Sequence, residues 1–227
     1  MSEITKNVKR LKKEVGEYNP FHEKVRIIAA IKTRTVEEIN EAITAGVDGV
    51  AENKAQEFKE KSEFLIPTCS QHFIGHLQTN KVKYLVGKIA LFHSCDRDEL
   101  AFELAKQSLK RGIVSNVLMQ VNIGAEYSKG GYALSDAKEA FLRLAKMDGI
   151  KVRGLMAMLP ESDDQAYLKE LAMKMRDLYD WCKSTAEDID CLSMGMSGDY
   201  KLCVECGSNM IRVGSTIFGA RNYGGNQ

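Results

Sequence analysis

Lys32 closes the stretch Arg26-Ile27-Ile28-Ala29-Ala30-Ile31-Lys32, in which an apolar run delivers a single amine. A short unbroken apolar run reads as a strand buried on both faces. The amine then stands where the strand gives way to Thr33, Arg34 and Thr35. A lysine held out of water loses proton affinity and becomes a nucleophile able to form a Schiff base with an aldehyde. The competing reading is a lysine that snorkels and only caps its strand. Toward the other end, Arg212 lies inside the apolar run Ile211-Arg212-Val213-Gly214-Ser215-Thr216-Ile217-Phe218-Gly219. An arginine within a strand of a packed core demands partners. Gly214 and Ser215 follow it with backbone N–H groups and a hydroxyl at the start of a helical turn, which suits an anion such as phosphate. Gly195-Met196-Ser197-Gly198-Asp199 is a second loop of this kind. The alternative for either loop alone is a helix N-cap after a glycine turn.

The elements that must position these groups follow from periodicity. Residues 2–17 place Ile4, Val8, Leu11 and Val15 on one helical stripe, and Asn19-Pro20 ends it. Thr35 with Glu38 spells a capping box that opens a helix over 36–45. Strands are expected at 26–32, 47–51, 72–75, 89–95, 116–123, 152–158, 191–196 and 209–218. Helical patterns lie between them at 54–64, from His76 to about Val86, at 98–111, from a Ser135 cap to Met147, at 164–188 and at 199–206. Eight strands alternating with helices predict a single-domain (β/α)8 barrel over 1–227 with an extra N-terminal helix; a doubly wound open sheet is the competitor. In the barrel, Lys32, Asn53, His76, the 122–129 loop, Met158, Ser197 and Gly214 all fall at strand ends on one rim, where function resides.

Composition narrows the classes. The chain has 227 residues, 44% apolar and 28% charged, as in a soluble globular protein. A net charge of +1 gives no electrostatic case for nucleic acid or an anionic membrane. The apolar runs are too short to span a bilayer, and the polar N-terminus lacks a secretory signal. Six cysteines without disulfide spacing suit reduced thiols, so a cytoplasmic protein is expected. Cys203 and Cys206 form a lone C-x-x-C and are read as packing residues, with no metal site expected. His72 is read as a satisfied structural histidine; His22 and His93 carry no signal.

Barrel closure would place the first strand beside the eighth. An amine, an interior arginine and a phosphate cradle would then line one pocket, and pyridoxal 5′-phosphate requires an imine partner, a ring-nitrogen contact and an anion site. An arginine stays protonated, so it disfavours protonation of the ring nitrogen. The ring would then be a weak electron sink.

The chain also closely resembles the pyridoxal phosphate homeostasis protein family, relatives of the alanine racemase barrel. The matching strings include Ala30-Ile31-Lys32-Thr33, Glu52-Asn53, His72-Phe73-Ile74-Gly75 with Leu77-Gln78 and Asn80-Lys81, Asn122 with Glu126, Lys129 and Gly130, Ser193-Met194-Gly195-Met196-Ser197 with Asp199, and Arg212-Val213-Gly214 through Arg221. Ala51 stands where that family commonly has glycine, and His76 follows Gly75 where a proline or small residue is expected. The resemblance implies that Lys32 forms the Schiff base and that Asn53 lies near the cofactor. It places Ser197, Gly214 and Ser215 at the phosphate, Arg212 at the ring nitrogen and Lys129 in cofactor transfer. It further implies a non-catalytic carrier or buffer in intracellular vitamin B6 and amino-acid balance, with pyridoxal-phosphate-dependent apo-enzymes as possible partners. An amino-acid racemase of this barrel class is the rival, but such enzymes carry a second, β-rich domain that supplies a tyrosine base. The sequence ends six residues after Arg221, so neither that domain nor its dimerisation is expected, and a monomer is. A Schiff-base aldolase acting on a sugar phosphate is a third class.

Overall fold

In the computed structural model, which describes residues 1–126 and 129–220, short strands buried on both faces form a closed ring. The strands are β1 (Arg26–Ala30), β2 (Gly49–Glu52), β3 (Ser70–Phe73), β4 (Leu91–Cys95), β5 (Ser115–Asn122), β6 (Tyr132–Ala133), β7 (Ile150–Ala157), β8 (Cys191–Ser193) and β9 (Met210–Val213). Their order is β4-β3-β2-β1-β9-β8-β7-β5-β6, and a further β4–β5 pairing closes eight of them into a barrel. All pairings are parallel, and β6 is a two-residue attachment to β5 outside the ring. The expected (β/α)8 barrel is therefore the fold, and the open sheet is excluded.

Side chains on successive residues face opposite sides of a strand. In β1, Ile27 and Ala29 pack outward against the helices while Ile28 packs inward; in β9, Ile211 and Val213 pack outward and Met210 inward. Arg212, next in phase with Met210, therefore projects into the barrel. The helices are α1 (Glu3–Glu17), α2 (Val36–Thr44), α3 (Ala55–Lys61), α4 (Val82–Leu85), α5 (Asp98–Lys110), α6 (Ala137–Ala145), α7 (Gln165–Thr185), α8 (Tyr200–Glu205) and α9 (Ser215–Phe218). The expected stripe of α1 faces inward, with Val8, Leu11 and Val15 buried. Asn7 of α1 donates to the Ile217 carbonyl of α9 at 3.0 Å, and Tyr200 of α8 donates to Glu14. The capping box of α2 is formed on both sides by Thr35 and Glu38.

Several boundaries differ from the sequence reading. The run 209–218 is a strand only to Val213; Gly214 turns the chain and Ser215–Phe218 is helical. The β propensity of Thr216-Ile217-Phe218 is outweighed because Ile217 and Phe218 bury against α1 and α2 from a helical turn. Ser135 does not cap α6: it lies in a 3-10 turn, Leu134–Asp136, and its hydroxyl donates to Asp136. The pattern at 54–64 divides into α3 and a 3-10 turn, Ser62–Phe64. Cys203 and Cys206 are fully buried packing residues, as expected. No helix among the described residues is long and apolar enough to cross a membrane.

Candidate functional site

The strand ends enclose a cavity of about 470 Å³ at the carboxyl mouth of the barrel. Lys32, Asn53, Ser197, Arg212, Gly214 and Ser215 all line it, together with Arg34, Ile74, Met156, Met158 and Met196. Six residues that the sequence placed in one site thus come together from four strand ends.

Lys32 is half-buried rather than buried, so full desolvation of its amine is not realised. Its aim is fixed from below. Ile31 N–H donates to the Ala51 carbonyl at 3.0 Å, carrying the β1–β2 ladder one residue beyond the strand. Thr33 then adopts φ 63°, a left-handed conformation that a β-branched residue rarely takes. Glu57 accepts the Thr33 N–H at 3.1 Å and the Lys61 ammonium at 2.9 Å. Lys61 also reaches the Ile31 carbonyl and the buried Glu52 carboxylate, each at 3.4 Å. Burial pushes the Glu52 carboxyl up, while the Asn53 N–H and Lys61 pull the other way. Burial also pushes Glu57 up, but Lys61 and the Thr33 N–H outweigh it and hold this carboxyl below its ordinary value. The strained turn carrying Lys32 is therefore tied to an ion pair beneath it.

Asn53 donates its backbone N–H to Glu52 at 2.7 Å, while its side-chain Oδ1 is buried with no hydrogen-bond partner among the described residues. Asn53 lies against Gly75 for a steric reason: a Cβ on Gly75 would stand 1.9 Å from the Asn53 carbonyl oxygen. Gly75→Ala is expected to push Asn53 off its place and to cost about 2–4 kcal/mol of stability, as overpacking against rigid backbone does. Urea unfolding of the variant beside the parent checks this, and an unchanged midpoint contradicts it.

On the opposite wall, the backbone N–H groups of Gly214 and Thr216 converge on the Ser197 hydroxyl at 3.2 and 3.3 Å. Asp199 accepts the Met196 N–H at 2.6 Å and so shapes the loop that presents Ser197. These loops after β8 and β9 focus N–H dipoles on one oxygen position, as an anion cradle does. Arg212 is buried in the wall between cradle and lysine. The partners of its guanidinium among the described residues are neutral: the Ser193 carbonyl at 2.8 Å, the Ser193 hydroxyl at 2.6 Å and the Ala157 carbonyl at 3.0 Å. Burial pulls its pKa down to about 10, which leaves it cationic near neutrality.

Two rim candidates are not in this cavity. Lys129 pairs with Glu126 at 2.5 Å and donates to the Leu159 carbonyl at 3.3 Å. His76 pairs with Asp96 at 2.9 Å and lines a neighbouring cavity with Asn53 and Lys81. Tyr127 and Ser128, in the loop before Lys129, and Arg221, the last residue of the matched C-terminal string, lie outside the described residues. Sequence reasoning passed over Arg34, the Thr216 N–H and the supporting pair Glu57–Lys61. Arg34 was within reach, being two residues beyond Lys32, and Glu57–Lys61 is an i,i+4 pair within α3; only the reach of Lys61 to Glu52 and Ile31 crosses elements and leaves no local signal.

Comparison with known proteins accords with this geometry. The family described as Alanine racemase, N-terminal domain, matches residues 1–222. The pyridoxal phosphate homeostasis protein of Aquifex aeolicus is 40% identical over 200 residues, covering 87% of this chain and 88% of the relative. That of Escherichia coli K12 is 35% identical over 205 residues, covering 88% of each. The chain belongs to the pyridoxal phosphate homeostasis protein family. Among solved structures, PipY of Synechococcus elongatus PCC7942 with PLP bound superposes with a TM-score of 0.83 at 28% identity, covering 95% of this chain and all of that one. Alanine racemase of Clostridium difficile 630 is 15% identical with a TM-score of 0.75, covering 96% of this chain and 57% of the racemase, and so shares the barrel. Membership in the homeostasis family thus coincides with the cavity in which Lys32, Arg212 and the N–H cradle meet.

Proposed function

We propose that the protein binds pyridoxal 5′-phosphate on Lys32 and carries or buffers it in intracellular vitamin B6 balance, with effects on amino-acid balance. The observation that carries this reading is one cavity holding an amine, an unneutralised buried guanidinium and two converging N–H groups. The residues fit the group. Asn53 Oδ1 is a buried acceptor available to a donor of the ligand. Arg212, hydrogen-bonded only to neutral oxygens and balanced in part through space by the Asp199 carboxylate, favours an anionic ligand. When bound, the cofactor would supply an aldehyde carbon for the Lys32 amine and an electron-withdrawing ring.

This chain's residues hold rather than transform it. Ser197, Gly214 and Ser215 take the phosphate, and Arg212 faces the ring nitrogen as a donor that carries no acceptor. Asn53 sits beside the ring, and the three cavity methionines form its apolar wall. Among the described residues lining the cavity, no tyrosine, histidine or carboxylate offers a second acid–base group. That favours a non-catalytic carrier over an amino-acid racemase, which moves a proton between two faces of a carbon. Lys129, outside the cavity but near its rim loop, is assigned to cofactor transfer, and pyridoxal-phosphate-dependent apo-enzymes are the expected recipients. All six cysteines are free thiols, in keeping with a reducing cytoplasm, and the protein acts as a monomer.

The test is a visible spectrum of purified protein titrated with pyridoxal 5′-phosphate, then borohydride reduction and peptide mass mapping. A new band and a reduced adduct on Lys32 support the reading. A colourless protein with Lys32 unmodified overturns it and turns attention to phosphorylated sugars.

A further inference from the structure

Arg212 is the end of a hydrogen-bond chain that crosses the barrel interior. The Ser193 hydroxyl accepts from Arg212 at 2.6 Å and lies 3.1 Å from Nδ1 of His93. Nε2 of His93 is 2.8 Å from Nδ1 of His72, and Nε2 of His72 is 2.8 Å from the Ser70 hydroxyl. Ser193 and His93 are wholly buried, and His72 nearly so. Ser70 opens on a separate cavity of about 200 Å³ at the opposite mouth, shared with Arg26, Asp48 and Arg153.

One assignment of hydrogens lets every member of this chain donate in a single direction away from Arg212. A guanidinium only donates, so the Ser193 oxygen accepts there. The hydroxyl hydrogen then points to the nitrogen left within reach, His93 Nδ1. In this assignment that nitrogen is bare, His93 carries its proton on Nε2, and it donates to His72 Nδ1. His72 in turn carries its proton on Nε2 and donates to Ser70. Both imidazoles are neutral, because burial holds His93 well below its ordinary value and His72 near 4, with Arg212 and Arg26 adding repulsion. Aligned donors polarise one another and strengthen the acceptor at the head of the chain.

We propose that Ser193, His93 and His72 are positioning residues for Arg212, an aligned neutral relay that fixes the guanidinium in the cavity wall without neutralising it. A carboxylate in Ser193's place would cancel the charge; a polarised hydroxyl compensates it only in part. Asp199 and Cys203 act on the guanidinium only through space, so a cation is left facing the ligand, which selects an anionic ligand with an unprotonated ring nitrogen. This rests on the proposed binding of pyridoxal 5′-phosphate.

The test uses the affinity for pyridoxal 5′-phosphate and the pH midpoint of the visible band of the Lys32 adduct. Ser193→Ala is expected to weaken binding about tenfold and to shift the midpoint to lower pH by about half a unit, because the guanidinium loses compensation. His72→Gln, whose side chain cannot touch the ligand, shifts the midpoint in the same direction by less. In an Arg212→Leu background, Ser193→Ala shifts nothing further, since a residue acting through Arg212 loses its effect with it. Equal shifts with and without Arg212, or a midpoint unmoved in both Ser193→Ala and His72→Gln, overturn the relay. Where Arg212→Leu fails to fold, the His72→Gln midpoint decides alone. An absent band in the parent protein counts against the binding reading, whereas a band in the parent that the variants leave unchanged counts against the relay only.

Discussion

Lys32→Ala is expected to abolish the visible band formed with pyridoxal 5′-phosphate and to weaken its retention by a hundredfold or more, about 2.7 kcal/mol. The substitution removes the amine and leaves in place the groups that hold the turn and the cradle. Thr33 keeps its turn through Glu57, and Ser197, Gly214 and Arg212 keep their places, so weak non-covalent binding through the cradle persists. Fluorescence or dialysis measures the residual affinity, and borohydride followed by mass mapping shows whether another lysine substitutes. Arg34 cannot, since a guanidinium does not act as a nucleophile at this pH. Retention of the band would mean that the adduct lies elsewhere. Steady racemisation of an amino acid by the parent, lost in Lys32→Ala, would overturn the carrier reading in favour of an enzyme.

Acidification should destabilise the protein steeply through the same interior that orients Arg212. His72 titrates near 4 in the folded chain against an ordinary value of 6.5, and His93 is held lower than its ordinary value by complete burial. Above 6.5 neither state binds these protons and the contribution is fully present. As pH falls below 6.5 the unfolded chain takes up protons that the folded chain refuses, so stability drops by about 1.4 kcal/mol per histidine per pH unit. The loss from His72 is complete near pH 4. Glu52, whose carboxyl burial raises, acts in the opposite sense, since the folded chain binds its proton first. Two histidines against one carboxyl leave a net loss. Urea midpoints at pH 7 and pH 5 measure it, and His72→Gln should flatten the difference. Equal midpoints for the parent at both values would show that the pair is charged or exposed in solution.

The parts of this molecule legible in its sequence are those with local causes. Lys32 after an apolar run and Gly214-Ser215 after a strand announce themselves because strand ends in a parallel barrel are also rim positions. The capping box at Thr35 reads directly for the same reason. What was hidden depends on pairing between distant strands. His93 carries no local pattern, yet its place beside β3 and across the barrel interior from Ser193 of β8 makes it the centre of the interior chain from Ser70 to Arg212. The partners of Arg212 were expected as a requirement of burial, but their neutrality was not readable: a carboxylate was as consistent with the sequence as Ser193. The error at 209–218 has a similar origin, since the docking of Ile217 and Phe218 against α1 depends on a helix two hundred residues away.

That docking couples opposite ends of the chain in energy as well as in space. Asn7 holds the Ile217 carbonyl, and Glu14 holds Tyr200, so one amphipathic helix fastens both short helices that follow the loops after β8 and β9. Partial opening of α1 is therefore expected to loosen the cradle. By linkage, a ligand gripped by Ser197 and Gly214 must raise the free energy of that opening. If Ser197 and Gly214 hold the ligand as proposed, amide protons of α1 are expected to exchange more slowly when the cavity fills.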